Sequence, residues 1–184
     1  VAKGGSLVRF YAGIVTSNEG VELHFDGTRE EHLLLSLDLI LVAFTGKTAL
    51  NIHLHGLTNH PTDNSVDTIQ NQLIPYLKTH YQLDNELAMK IVKRGYLPLG
   101  GGHVHIVIPA IRKLNRVNLE EKGYIKRVRG TCAGSKISTS ILNQVKDKVK
   151  SRMLEYLPDV WIYTDYFKGE KASLSSGYSL SLIA

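Results

Sequence analysis

Lys93-Arg94-Gly95-Tyr96-Leu97-Pro98-Leu99-Gly100-Gly101-Gly102-His103 sets a basic pair and a triple glycine between two alternating apolar runs. Leu87, Met89 and Ile91 precede it; Val104, Ile106 and Ile108 follow it. Alternation at every second residue is the pattern of a half-buried strand, so the string reads as a connection between two strands. Three successive glycines let a backbone turn with positive φ. They also let it approach a phosphate closely with several amides aimed at it, and Lys93 and Arg94 add charge. Lys93, Arg94, Gly100, Gly101 and Gly102 are therefore candidate phosphate contacts, with a plain tight turn as the competing reading. The string is no Walker loop, because it lacks the Gly-Lys-Ser/Thr ending and the helix after it.

Working upstream, Leu50, Ile52 and Leu54 alternate with Asn51, His53 and His55 as a further strand. Gly56 to Asn64 reads as a polar loop. Val66, Ile69, Leu73 and Leu77 then recur at helical spacing, with Asn64 or Ser65 as N-cap and Pro75 as a kink or early end. Arg29 to Phe44 reads as a largely buried helix, and Leu7 to Phe10 and Val21 to Phe25 as strands joined by a turn at Asn18, Glu19 and Gly20. Helices alternating with half-buried strands argue for helices on one face of a sheet, an α+β arrangement.

Downstream the composition changes. Residues 1–110 carry 8 Lys+Arg against 10 Asp+Glu, and residues 111–184 carry 14 against 7. Pro109 to Leu114 is the expected boundary between two units, 1–110 and 111–184. The second unit reads as β-α-β-β: a strand from Tyr124 to Cys132, a helix capped by Ser138 or Ser140, a strand from Val160 to Thr164, a Gly/Ser/Lys loop from Tyr166 to Gly177, and a last strand from Tyr178. Ile141, Val145, Val149 and Met153 lie four apart on the helix, with Lys146, Lys148, Lys150 and Arg152 expected opposite them. On the first strand Arg127 and Arg129 would share a face and Lys126 would point away. A basic unit suits a polyanion, nucleic acid foremost, so Lys126, Arg127 and Arg129 join the candidate contacts.

Other constellations weigh less. The His53/His55 and His103/His105 pairs could offer four nitrogens to a metal, but they fit exposed polar strand faces better, and no metal is expected. Trp161, Tyr163, Tyr166 and Phe167, beside Lys168, read as core or core edge, with Tyr166 the exception able to stack on an unpaired base. The longest apolar run, Leu33 to Phe44, is interrupted by Ser36 and Asp38 and is too short to span a bilayer, so no membrane partner is expected. A lone cysteine, Cys132, can form no internal disulfide. Val1 to Ser6 has neither a secretory leader nor an initiating Met, so the natural N-terminus is expected to lie upstream.

Several of these strings also resemble one family. Lys93-Arg94-Gly95 with Pro98 and Gly100-Gly101-Gly102 is similar to the signature loop of the RNA 3′-terminal phosphate cyclase family. Gly56-Leu57-Thr58-Asn59 and Ser65-Val66-Asp67-Thr68-Ile69 resemble its upstream motifs. Gly123-Tyr124-Ile125-Lys126-Arg127-Val128-Arg129-Gly130 and Pro158-Asp159-Val160-Trp161-Ile162-Tyr163-Thr164-Asp165 resemble strings of its cyclase-like branch. Asn64, Ser176, Ser179 and Tyr124 depart from the pattern. The resemblance implies tandem α/β repeats with a smaller inserted domain that begins near Pro109. It also implies a role in making the small ribosomal subunit, in the nucleus and nucleolus. The implied partners are pre-ribosomal RNA, a nucleolar ribosome-assembly GTPase and other small-subunit processome proteins. The cyclases carry a nucleophilic histidine near the C-terminus that takes up the adenylyl group of ATP, and no histidine of this chain occupies that part of the family. The resemblance therefore implies no catalytic residue and no cofactor here, with a link to pre-ribosomal RNA cleavage as an enzymatic option. An active ATP-dependent RNA 3′-terminal phosphate cyclase is the alternative.

Overall fold

The runs flanking the glycine-rich string form an antiparallel pair, β3 (Ala88–Lys93) and β4 (Gly102–Ile108). A computed structural model of the chain describes residues 11, 13, 21–24, 37–61, 64–83, 87–111, 113, 116–118, 120 and 123–184. β4 also pairs antiparallel with β2 (Leu50–Gly56), and β2 pairs in parallel with β1 (Val21–His24), giving the order β1-β2-β4-β3. The strand read at Leu7 to Phe10, the turn at Asn18 to Gly20 and residues 29–36 of the first helix lie outside the described residues.

Among the described residues, two helical elements cover one face of this sheet. In α1 (Leu37–Phe44), Ile40, Ala43 and Phe44 are buried while Leu41 and Val42 are exposed, so its last residues are amphipathic rather than largely buried. The second runs through α2 (Val66–Thr68), a π-helical turn (Ile69–Leu73) and α3 (Ile74–Tyr81). Ser65 is the cap that forms, its side chain accepting from the Thr68 N–H. Pro75 neither ends nor breaks the helix. It has no N–H to give to the carbonyl four residues back, and the helix widens just before it, with the Ile74 N–H donating to the Ile69 carbonyl. Ile52, Leu54, Val104, Ile106 and Ile108 of the sheet pack against Ile40, Phe44, Val66, Ile69, Ile74 and Leu77. Fully burying each such side chain contributes about 1.5–3 kcal/mol.

The second unit has the β-α-β-β order that its spacing implies. β5 (Val128–Ser135) pairs in parallel with β6 (Val160–Phe167) after the crossover helix α4 (Thr139–Leu154), and antiparallel with β7 (Gly177–Ile183), in the order β6-β5-β7. Four local readings need correcting. β5 starts at Val128, whose N–H donates to the Asp159 carbonyl, so Tyr124 to Arg127 are exposed residues ahead of the strand. Ser138 caps α4, but Leu142 is the side chain that is wholly buried while Ile141 is exposed. Lys146 and Lys150 flank the packed stripe half-buried instead of lying opposite it. Finally, residues 166–177 are no free loop: β6 extends to Phe167, a 3-10 turn spans Gly169–Lys171, and Ala172, Ser173 and Ser175 are buried. No helix among the described residues is long and apolar enough to cross a membrane.

Candidate nucleic-acid interface

Arg94 stands just past the end of β3 and is wholly buried. Its two terminal nitrogens donate to the two carboxylate oxygens of Asp67 in α2 at 2.7 and 2.6 Å. Nη2 also reaches Asp165 of β6 at 3.3 Å, and the guanidinium lies 5.3 Å from the centroid of the Phe167 ring. Asn59 donates to Asp67 at 3.3 Å and completes the cluster. Burial alone would lower the Arg94 pKa, but the hydrogen bonds and charge of Asp67 outweigh it and the net shift is upward. A buried, bidentate arginine with its charge neutralised this way binds two sheets together. Arg94 is therefore a structural residue here and not a phosphate-facing cation.

The triple glycine has a similar explanation. Gly100 and Gly101 have φ of 64° and 76°, and a Cβ on Gly101 would stand 2.5 Å from Leu174. A Cβ on Gly102 would meet the Gly56 carbonyl at 2.7 Å, and one on Gly95 would collide with the same oxygen. Amides of the connection are already committed. Arg94 N–H donates to the Lys171 carbonyl, Tyr96 N–H to Ser173 Oγ, Leu99 N–H to Ser175 Oγ and Gly100 N–H to the Tyr96 carbonyl. The connection docks residues 171–175 rather than cradling an anion: Gly101 makes room for Leu174, Gly102 and Gly95 for the Gly56 carbonyl, and Gly100 takes a left-handed φ beside Gly56. Lys93, half-buried at the end of β3, stays with the candidate contacts.

The cations of the second unit divide. Arg129, in β5, makes a two-pronged pair with Asp159 at 2.8 Å for each prong, which holds the Asp159 pKa down and the Arg129 pKa up. Arg127 lies outside the strand, so it does not share a pleated face with Arg129 as the sequence suggested. Lys126 and Arg127 are exposed beside the pair. Asp159 and Asp165 bound one sequence string, and each anchors an arginine of another.

Aromatic placement reverses the sequence reading. Tyr166 packs on the second core and its hydroxyl donates to the Ile137 carbonyl at 2.7 Å. Trp161 and Tyr163 stand 54% and 59% exposed, because α4 covers the β6 face that holds Val160 and Ile162. Tyr163, Arg127, Arg129, Thr131, Asn71 and Ser181 line a groove of about 380 Å³ on the open face. On the other sheet His53, His55, His103 and His105 sit side by side on the face away from the helices. His53 Nδ1 lies 2.9 Å from His103 Nε2, and His53 stacks on His105 at 4.4 Å. No group of three or more His, Cys, Asp or Glu among the described residues could hold a metal ion. Cys132 is buried, and burial pushes its thiol up, away from nucleophilic use.

With two sheets, their covering helices and the arginine-carboxylate cluster in place, comparison with known proteins gives the class. The family model described as RNA 3′-terminal phosphate cyclase matches residues 2–174, and the chain belongs to that family. Within it, the chain is 36% identical over 180 residues to the "Probable RNA 3'-terminal phosphate cyclase-like protein" of Dictyostelium discoideum, covering 98% of this chain and 48% of that protein. It is 37% identical over 147 residues to the "RNA 3'-terminal phosphate cyclase-like protein" of Homo sapiens, covering 79% and 39%. Over 147 residues it is 32% identical to the "rRNA processing protein rcl1" of Schizosaccharomyces pombe, covering 79% and 40%. The chain thus spans about half or less of the length of these relatives.

Proposed function

We propose that this chain is part of a ribosomal RNA processing factor that contacts pre-ribosomal RNA through its basic second unit and does not cyclise RNA 3′ ends. What carries the reading is the division of the cations. Arg94 and Arg129 are spent on carboxylates, whereas Lys126 and Arg127 are exposed at one end of a sheet whose open face carries aromatics. The similar protein named for rRNA processing supports the RNA class, and the cyclase-like names of other relatives support the lack of cyclisation. Lys126 and Arg127 of the second unit, with Lys93 of the first in support, are the phosphate contacts under this reading. Action in small-subunit assembly, a nucleolar location, and a GTPase and processome proteins as partners belong to the same proposal.

The test uses the full-length protein. Purified from cells after crosslinking, it should bring down pre-ribosomal RNA above messenger and transfer RNA. Incubated with ATP and an RNA 3′-phosphate, it should form no 2′,3′-cyclic phosphate and take up no label. The matched family model carries the cyclase description, so an active cyclase is the second reading. ATP-dependent cyclisation above a heat-killed control would favour it and contradict the first.

A further inference from the structure

Trp161 and Tyr163 are two residues apart on β6, an edge strand of its sheet, and so point to the same face. Both are more than half exposed, and their ring centroids lie 6.0 Å apart. Two large aromatics left in water on an edge strand are a liability to a folded protein unless something uses them. Their surroundings say what kind of partner fits. Lys150 holds its ammonium 5.6 Å from the centre of the Trp161 ring. Arg129 stands directly across from Trp161 on β5, and Thr131 across from Tyr163. Arg127, Arg129 and Lys150 border these rings, Lys126 lies beside Arg127 and Asp159, and Asp159 is paired to Arg129. The adjoining groove mixes Arg127, Arg129 and Asn71 with the apolar surface of Tyr163, Ile183 and Ala184. An apolar protein segment would have to desolvate those cations, whereas a strand of nucleic acid brings a phosphate for the cations and a flat ring for the aromatics.

Resting on the proposed RNA reading and extending it, we propose that the β6 side of the second sheet, on the face opposite α4, is a stacking platform for unpaired RNA bases. Trp161 and Tyr163 supply the stacking surfaces, and Arg127 and Lys150 hold the flanking phosphates. Bases in a duplex stack on each other and offer no ring face, so the platform selects single-stranded or looped RNA.

Tryptophan emission from the full-length protein, taken as the difference between wild type and Trp161→Phe, reads the platform directly. In the free protein Trp161 should emit as a solvent-exposed indole that a soluble quencher reaches. A single-stranded oligoribonucleotide should quench that emission, and a duplex of the same composition should not. Trp161→Ala with Tyr163→Ala should weaken single-strand binding roughly tenfold to a hundredfold, the range for losing base–aromatic stacking, while Trp161→Phe keeps most of it. A shielded Trp161 in the free protein, showing that another part of the chain or a protein partner covers it, would overturn the proposal. So would emission indifferent to RNA, or a double variant that loses single-stranded and duplex RNA alike. If the quenching and the binding loss are seen but the wild-type protein brings down no pre-ribosomal RNA from cells, the platform stands and only the ribosomal reading falls.

Discussion

Removing the Arg94 guanidinium would strand the buried Asp67 carboxylate without its partner, and removing Asp67 would strand Arg94. Breaking a buried pair from one side costs about 3–5 kcal/mol, so Arg94→Ala and Asp67→Ala should each lower stability by that order in urea melts. Arg94→Lys should recover only part of it, because an ammonium cannot make the two-pronged contact. Melts in which Arg94→Ala matches wild type would show that the pair contributes little. At Gly101, alanine would meet both a left-handed φ and the Leu174 side chain, for a loss of about 2 kcal/mol or more. RNA contacts are expected at other residues. Lys126→Ala with Arg127→Ala should flatten the log-log salt dependence of RNA binding by about one to two, with the melt unchanged. The sequence showed which residues were distinctive at this scale but not how they were used. A basic pair beside glycines reads the same whether the charge meets a phosphate or a carboxylate, and the aspartates that claim Arg94 lie 27 and 71 residues away.

On the imidazole-bearing face of the first sheet, burial, the charge of His53 and the charge of Lys90 lower the His105 pKa. A histidine harder to protonate when folded than when unfolded adds stability that is complete above its unfolded pKa of 6.5 and declines as the pH falls below it, since the unfolded chain then binds more protons. Thermal midpoints should accordingly fall between pH 7 and pH 5, and His105→Gln should reduce that slope; a slope unchanged by the substitution would mean that His105 does not contribute. The strands and helices themselves were largely legible, because their apolar spacing follows the face that each buries. The misread parts have physical causes. Two strand faces of opposite fate share β6: Val160 and Ile162 meet α4, while Trp161 and Tyr163 alternate with them. On the face opposite α4, Thr68 and Asn71 of the first unit meet Ser181 and Thr131 of β7 and β5, which leaves the β6 side uncovered; the aliphatic alternation of β6 was the signal that could have identified the exposed pair. Pro75 warned of a break, yet the helix absorbed it by widening for one turn.

Across the molecule, two sheets with separate cores meet at the glycine-rich connection and Arg94. Composition suggested a boundary near Pro109 and a free loop at Tyr166 to Gly177; the loop is instead part of the junction, since Ser173 and Ser175 accept amides from the connection. Trypsin should therefore cut first after the exposed Lys126 or Arg127, ahead of Lys148 and Lys150 in α4. The two fragments should then elute together, and in Arg94→Ala they should separate; early cuts within α4 would contradict the arrangement. Contact with pre-ribosomal RNA through the second unit is the central claim, and ultraviolet crosslinking of the full-length protein in cells, with the attached peptides identified, tests it most directly. The account predicts pre-ribosomal RNA on peptides containing Lys126 to Arg129 or Lys150 to Tyr163. Crosslinks confined to peptides outside the second unit, or to RNA other than pre-ribosomal RNA, would contradict it.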